Sequence, residues 1–280
     1  MNSIIAGAIY FLVVLGFNLI YGATKFFNLA HGIMAAIGGY SVFYFSETLG
    51  VSIYVAIILG VAFAGFSGFA LDKFIYLPLR RRKASNNVLF VASLGAMTSL
   101  QAIIAILFSS KFKMFPQNVT TQKLFTIFGG IITQTQLVIL VSAVLVMLGL
   151  VILLYKTQFG KAVRAISEDE EMARIIGIDT NKIIGYVFFI GSAIAGFTGI
   201  LVGFDVGIEP NMGLNLLLKG VIASIVGGIG NIYGGVLGAF LLGFVENLGI
   251  WKISGEWKDA ISFALLIVFL IFRPRGIMNK

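Results

Sequence analysis

The sequence predicts an all-α polytopic membrane protein with about eight to nine transmembrane segments. Three observations carry that expectation: an apolar composition, the recurrence of apolar runs, and basic residues gathered between them. Only 11% of the residues are charged against 59% hydrophobic, and the mean hydropathy is +1.01. A water-soluble domain carries about a quarter charged residues, so this chain cannot clothe a surface facing water. Lipid offers no partner to backbone N–H and C=O groups, which leaves helices as the way to pair them. The 34 glycines suit helices that approach closely through small residues.

Taken in order, apolar segments of spanning length cover about 3–22, 51–71, 88–108, 136–155, 183–204 and 259–272. The first has neither a basic leader nor a small-residue cleavage site, so it reads as a span and not as a cleaved signal. Residues 27–47 form a less apolar candidate that contains Asn28 and His31. Two shorter runs, 214–230 and 234–249, are interrupted by Gly227, Gly228, Gly230 and Asn231. They read either as two crossings or as a re-entrant hairpin, and both alternatives have the same parity. Residues 1–280 are expected to form a single transmembrane domain.

If the segments alternate, 14 of the 20 basic residues fall on one side. They are Lys25, the cluster Lys73 and Arg80 to Lys83, five in the loop 156–182, and Arg273, Arg275 and Lys280. The positive-inside rule makes that side cytoplasmic, with the N-terminus outside and the C-terminus inside the cell membrane. The net charge of +8 is thereby explained by topology, and no nucleic-acid partner is expected. The basic stretch Leu77 to Arg82 suits contact with anionic lipid. The outer loop 109–135 is polar and aromatic, with Phe112, Phe115, Phe125, Phe128 and Pro116, and Asn118 opens a sequon of little weight. A second outer stretch, Asp205 to Gly213, adds two carboxylates.

The absence of cysteine excludes disulfides and thiolate metal sites, and a lone histidine argues against a His-based one. No nucleophile–base pair or paired carboxylates are evident, so the chain is not expected to be an enzyme. Gly160-Lys161 lacks the upstream glycine and the hydroxyl of a phosphate-binding loop. The chain therefore needs no cofactor of its own, and any ATP must bind another subunit. Glu246 is the carboxylate placed within a span, facing either the bundle or the outer interface.

The longest charged stretch is the loop 156–182. Five of the twelve acidic residues lie between Glu168 and Asp179. Ser167 as N-cap and Gly177 as C-terminal stop predict an amphipathic surface helix over 165–178. It is either a solvated connection or a docking element. Asn28, His31 and Gly32 open the second segment, and Asn231 precedes a similar glycine-rich one. Aligning Asn28 with Asn231 also pairs Gly32 with Gly235 and Ala36 with Ala239. Interrupted segments at two corresponding places point to a substrate path. The competing reading is that Asn28 caps a helix, His31 bonds a neighbour and the glycines serve packing.

Five stretches, 18–32, 76–85, 159–179, 191–201 and 226–246, together resemble the branched-chain amino acid permease family of bacterial and archaeal ABC importers, particularly the LivH branch. Glu171-Met172-Ala173 followed by Gly177 is similar to the Glu-Ala-Ala…Gly element that docks on an ATPase, with Met in place of Ala. The resemblance implies an ATPase-coupling role for Glu168, Glu171, Ala173 and Gly177. It implies a substrate path near Asn28, His31, Gly32, Gly227, Gly228, Gly230 and Asn231. It implies as partners a LivM-like second permease, two ATPase subunits and an extracytoplasmic substrate-binding protein. The longer outer loop and Lys25 depart from the pattern. Urea and short-chain amide importers are related branches, and an ion-coupled secondary transporter is the alternative of another class.

Overall fold

The computed structural model describes residues 1–115, 124–127, 130–252, 254–274 and 276–278. Pro116, Asn118, Phe128, Arg275 and Lys280, singled out above, lie outside the described residues. The described chain is a helical bundle with six helices long and apolar enough to cross a membrane, so it is a multi-pass membrane protein.

Helix α1 (Asn2–Thr24) ends at Lys25, whose φ of 56° is the left-handed cap conformation. The chain turns back into α2 (Ala30–Phe43), which continues through a π-helical turn, Tyr44–Thr48. Helix α3 (Ile53–Leu71) passes through a second π turn, Asp72–Tyr76, into α4 (Leu77–Arg81), and α5 (Asn86–Phe108) returns. Between α5 and α6 the structure departs from an all-helical reading. Strands β1 (Leu124–Ile127) and β2 (Gly130–Thr133) form an antiparallel hairpin, Leu124 opposite Thr133. Thr133 then caps α6 (Gln134–Lys156), and Gln136 returns a bond to the Thr133 amide.

Helices α7 (Gln158–Glu168) and α8 (Glu170–Ile175) lie between α6 and α9 (Thr180–Val206). Helices α10 (Met212–Gly227) and α11 (Ile232–Ile250) form an antiparallel pair, Gly227 against Gly234 and Ala223 against Gly238. Helix α12 (Lys258–Phe272) follows a short 3₁₀ turn. At 16 residues α10 falls short of the about 20 needed to span hydrocarbon unaided.

Burial sorts the helices. In the most apolar stretch of α1, 78% of residues are buried, and in α9 67%, but only 22% in α5 and in α6. Helices α1 and α9 are thus the core, while α5 and α6 present apolar side chains outward. Small residues allow the close contacts at the centre. A side chain at Gly16 would meet the Gly191 carbonyl and the His31 ring, and one at Gly38 would meet the backbone of Gly196.

Candidate functional site

The glycine-rich break between α10 and α11 is built around Asn231. Gly228 and Gly230 sit at φ 115° and 82°, a backbone region that side chains disfavour. Asn231 is the N-cap of α11, its Oδ1 accepting from the Gly234 amide at 3.1 Å. Asn18 of α1 staples this turn in place. Its Oδ1 accepts from the Ser224 hydroxyl at 2.5 Å and from the Gly230 amide at 3.2 Å. Its Nδ2 donates to the Asn231 carbonyl at 3.1 Å. Residues 276–278 close the other side, with Ile277 and Met278 amides donating to Val226 and Gly227 carbonyls at 3.0 and 3.1 Å.

Beside this turn lies a cavity of about 420 Å³. Asn18, Gly230 and Asn231 line it together with Lys25, Arg164 and Ser167. The Lys25 ammonium lies 3.5 Å from the Ser167 hydroxyl, so the end of α1 meets α7 there. Two cations and no carboxylate among its described lining residues give the cavity a positive character.

Asn28, His31 and Gly32 are placed differently. Asn28 does not cap α2: the N-cap position is Leu29, and the Asn28 side-chain Oδ1 accepts from the Tyr76 hydroxyl at 2.9 Å. The Leu29 amide donates to the Ser93 hydroxyl at 3.0 Å, tying this turn to α5. His31 is fully enclosed, and neither ring nitrogen has a hydrogen-bond partner among the described residues. Its ring lies against the neighbouring helix α1, in the space left by Gly16. Gly32 packs on Gly213 and Leu217. Gly16 and Asn18, two residues apart on α1, point about 160° apart. The His31 and Asn231 motifs thus lie on opposite sides of α1. Of the residues expected along a path, Gly230 and Asn231 line the cavity, and the others are packed.

The charged loop also departs from a single helix over 165–178. Asp169, at φ −152° and ψ 108°, breaks it into α7 and α8. Its carboxylate accepts from the Glu171 and Met172 amides at 2.8 and 3.0 Å, an N-cap that competes with helix continuation. Ser167 lies within α7 and does not cap. Gly177 holds φ 91°, the left-handed state expected after a helix end. Val163, Ile166 and Ala173 are buried against the bundle, whereas Glu168 and Glu171 are exposed. Met172, Ile175 and Ile176 stand 58%, 72% and 71% exposed, an apolar tip facing outward. Glu170 pairs with Arg174 at 2.8 Å. Asp179 caps α9, and the Lys182 amide donating to it holds its carboxyl below the usual carboxylate range.

At the far end, Glu246 faces the bundle and is completely buried. It accepts from the Tyr10 hydroxyl at 2.6 Å, from Ser262, and from the Lys219 ammonium at 2.6 Å. Lys219 also reaches Asp259 at 2.8 Å, so α1, α10, α11 and α12 meet at one ionic knot. Among the described residues no group of His, Asp and Glu could hold a metal ion.

Asn18, Tyr76, Ser224 and Lys219 were not singled out in the sequence. For Asn18 and Lys219 the signal was an asparagine or lysine inside an apolar run, since such a side chain in a span needs a partner; Tyr76 and Ser224 offered none.

Residues 1–270 match the sequence family described as the branched-chain amino acid transport system permease component. The chain belongs to that family. It is 31% identical to the high-affinity branched-chain amino acid transport system permease protein BraD of Pseudomonas aeruginosa, covering 100% of this chain and 94% of BraD. It is 32% identical to the corresponding permease protein LivH of Escherichia coli, again over 100% of this chain and 94% of the relative. Among solved structures, PsaBC from Streptococcus pneumoniae in complex with Fab superposes with a TM-score of 0.56. That match covers 98% of this chain and 91% of the other, and at 12% identity it speaks for the fold alone.

Proposed function

We propose that the chain is the membrane-spanning permease subunit of an ABC importer that carries branched-chain amino acids, with ATP hydrolysed on partner subunits. The observation that carries this is the family match along nearly the whole chain, with both full-length relatives named for that transport. The chain itself performs no hydrolysis. The exposed α7–α8 element, with Glu168, Glu171 and Gly177, is the contact for the ATPase, its apolar tip entering a groove; Ala173, expected in that contact, is buried and instead seats the element on the bundle. Helix α5 supports a second permease subunit as partner. It carries the small residues Thr98, Ser99 and Ala102 on its exposed face, which let another helix approach closely. Glu246 argues against an ion-coupled carrier, because Lys219, Tyr10 and Ser262 occupy its oxygens.

The end of the bundle bearing Lys25, Arg80, Arg81, Lys83, Arg164 and Arg174 faces the cytoplasm, which sets the N-terminus outside and the C-terminus inside. Helices α10 and α11 each count as a crossing, α10 being completed by the loop before it. An extracytoplasmic binding protein delivers substrate at the opposite end. Leucine uptake into vesicles, with the partner subunits and binding protein reconstituted, tests this reading. Glu171→Lys should leave the chain inserted while uptake and co-purification of the ATPase fall together, by about tenfold or more. Uptake of urea without leucine would overturn the assigned substrate.

A further inference from the structure

The turn from α4 into α5 rims a second cavity, of about 530 Å³. Arg80, Arg81, Lys83 and Arg174 line it, against a single carboxylate, Glu170. That carboxylate is already engaged by Arg174 at 2.8 Å and by the Thr180 hydroxyl at 3.3 Å. Arg80 gives Nη2 to Asp72 at 2.6 Å, while its Nε and Nη1 have no hydrogen-bond partner among the described residues. The cations stand on a fixed turn. The Lys83 amide donates to the Arg80 carbonyl at 2.9 Å and the Ala84 amide to Leu79 at 3.1 Å. Asn86, the first residue of the 23-residue helix α5, lines the cavity too, and the N-cap Ser85 makes no side-chain bond to the first amides. The positive end of a long helix thus adds to four side-chain cations at one place.

We propose that this cavity binds the phosphate group of an anionic ligand, a lipid headgroup or a free phosphate. Two of the four cations are paired, Arg80 with Asp72 and Arg174 with Glu170, while Arg81 and Lys83 have no acidic partner among the described residues, so an anion in the cavity would balance the excess positive charge. A phosphate oxygen accepts from guanidinium and ammonium groups and from helix N-terminal amides alike. Basic pockets between helices at the cytoplasmic face are where lipid headgroups bind. The surface beside the cavity fits an acyl chain, since Val88, Phe90 and Val91 stand 46%, 39% and 62% exposed directly along α5.

The test uses the full-length permease purified in a neutral detergent. Its unfolding midpoint is followed with added phosphatidylglycerol, phosphatidylcholine or inorganic phosphate, for the wild type and for the double variant Arg81→Gln/Lys83→Gln. Both side chains are exposed and in no ion pair among the described residues, so the fold is retained. Phosphatidylglycerol should raise the wild-type midpoint by about 5 °C, phosphatidylcholine should not, and the double variant should lose most of the rise. An equal rise with inorganic phosphate alone would identify a free phosphate as the ligand. No rise with either anion, or a rise undiminished in the double variant, would overturn the proposal.

Discussion

Two motifs that look alike in the sequence, Asn28 to Gly32 and Asn231 to Gly235, do opposite things in the structure. In the second, Asn231 caps its helix, and a neighbouring asparagine of α1 completes the turn beside an open cavity. In the first, the asparagine is claimed by Tyr76 from another helix, the histidine is sealed in, and the glycine is a packing contact. The difference teaches that an Asn before a Gly-rich helix specifies a cap only where no stronger partner reaches it. A tyrosine hydroxyl in a dry core is such a partner, because neither group can turn to water.

The largest expected effect follows from the packing contrast. Gly32→Val would drive a side chain into the Gly213 carbonyl and Leu217, whereas a Cβ at Gly230 finds only Tyr21 at 4.0 Å. Gly32→Val should destabilise by about 3 kcal/mol. Gly230→Ala should cost about 1 kcal/mol, from its positive φ alone. Thermal unfolding in detergent measures both, and equal losses would break the distinction between a packed glycine in the first motif and the open turn just before the second.

A smaller effect separates the polar groups at the two motifs. Asn18→Leu removes three hydrogen bonds from the open turn and should cost about 2 kcal/mol. His31→Leu removes none and should leave the midpoint within about 0.5 kcal/mol of the wild type. Leucine uptake sharpens the comparison: a transport defect in His31→Leu with an unchanged midpoint would put the ring in the pathway despite its enclosure.

The smallest concerns the asparagines themselves. Asn231→Ala should lose a cap, about 1 kcal/mol. Asn28→Ala and Tyr76→Phe should each cost a similar amount but be non-additive together, because they remove the same bond. A double-mutant cycle checks this, and additive losses would show that the Tyr76 bond to Asn28 contributes nothing.

Much of this architecture was legible because a run of about twenty apolar residues has few other uses. The breaks at Lys25, at Gly228 to Gly230 and after Ile176 followed from charge and glycine. What could not be read were matters of partner and register. Asp169 outcompeted Ser167 as a cap because its carboxylate reaches two amides at once. The π turn at Asp72–Tyr76 carries no local signature, yet Tyr76 within it bonds Asn28. Glu246 could be suspected of needing a partner, but Lys219 lies a helix away in the chain, and only the folded hairpin brings them to 2.6 Å.

That last pair has a consequence for how the chain enters the bilayer. A lone lysine near the centre of a helix costs about 2.5–3.5 kcal/mol to insert. α10 carries one and is short besides, so by itself it is a poor candidate to leave the translocation channel for lipid. α11 brings the neutralising carboxylate, and its glycines seat it directly on α10. The two therefore partition sideways most readily as a closed hairpin, after both have been synthesised, and α12 joins them by adding Ser262 to the same carboxylate.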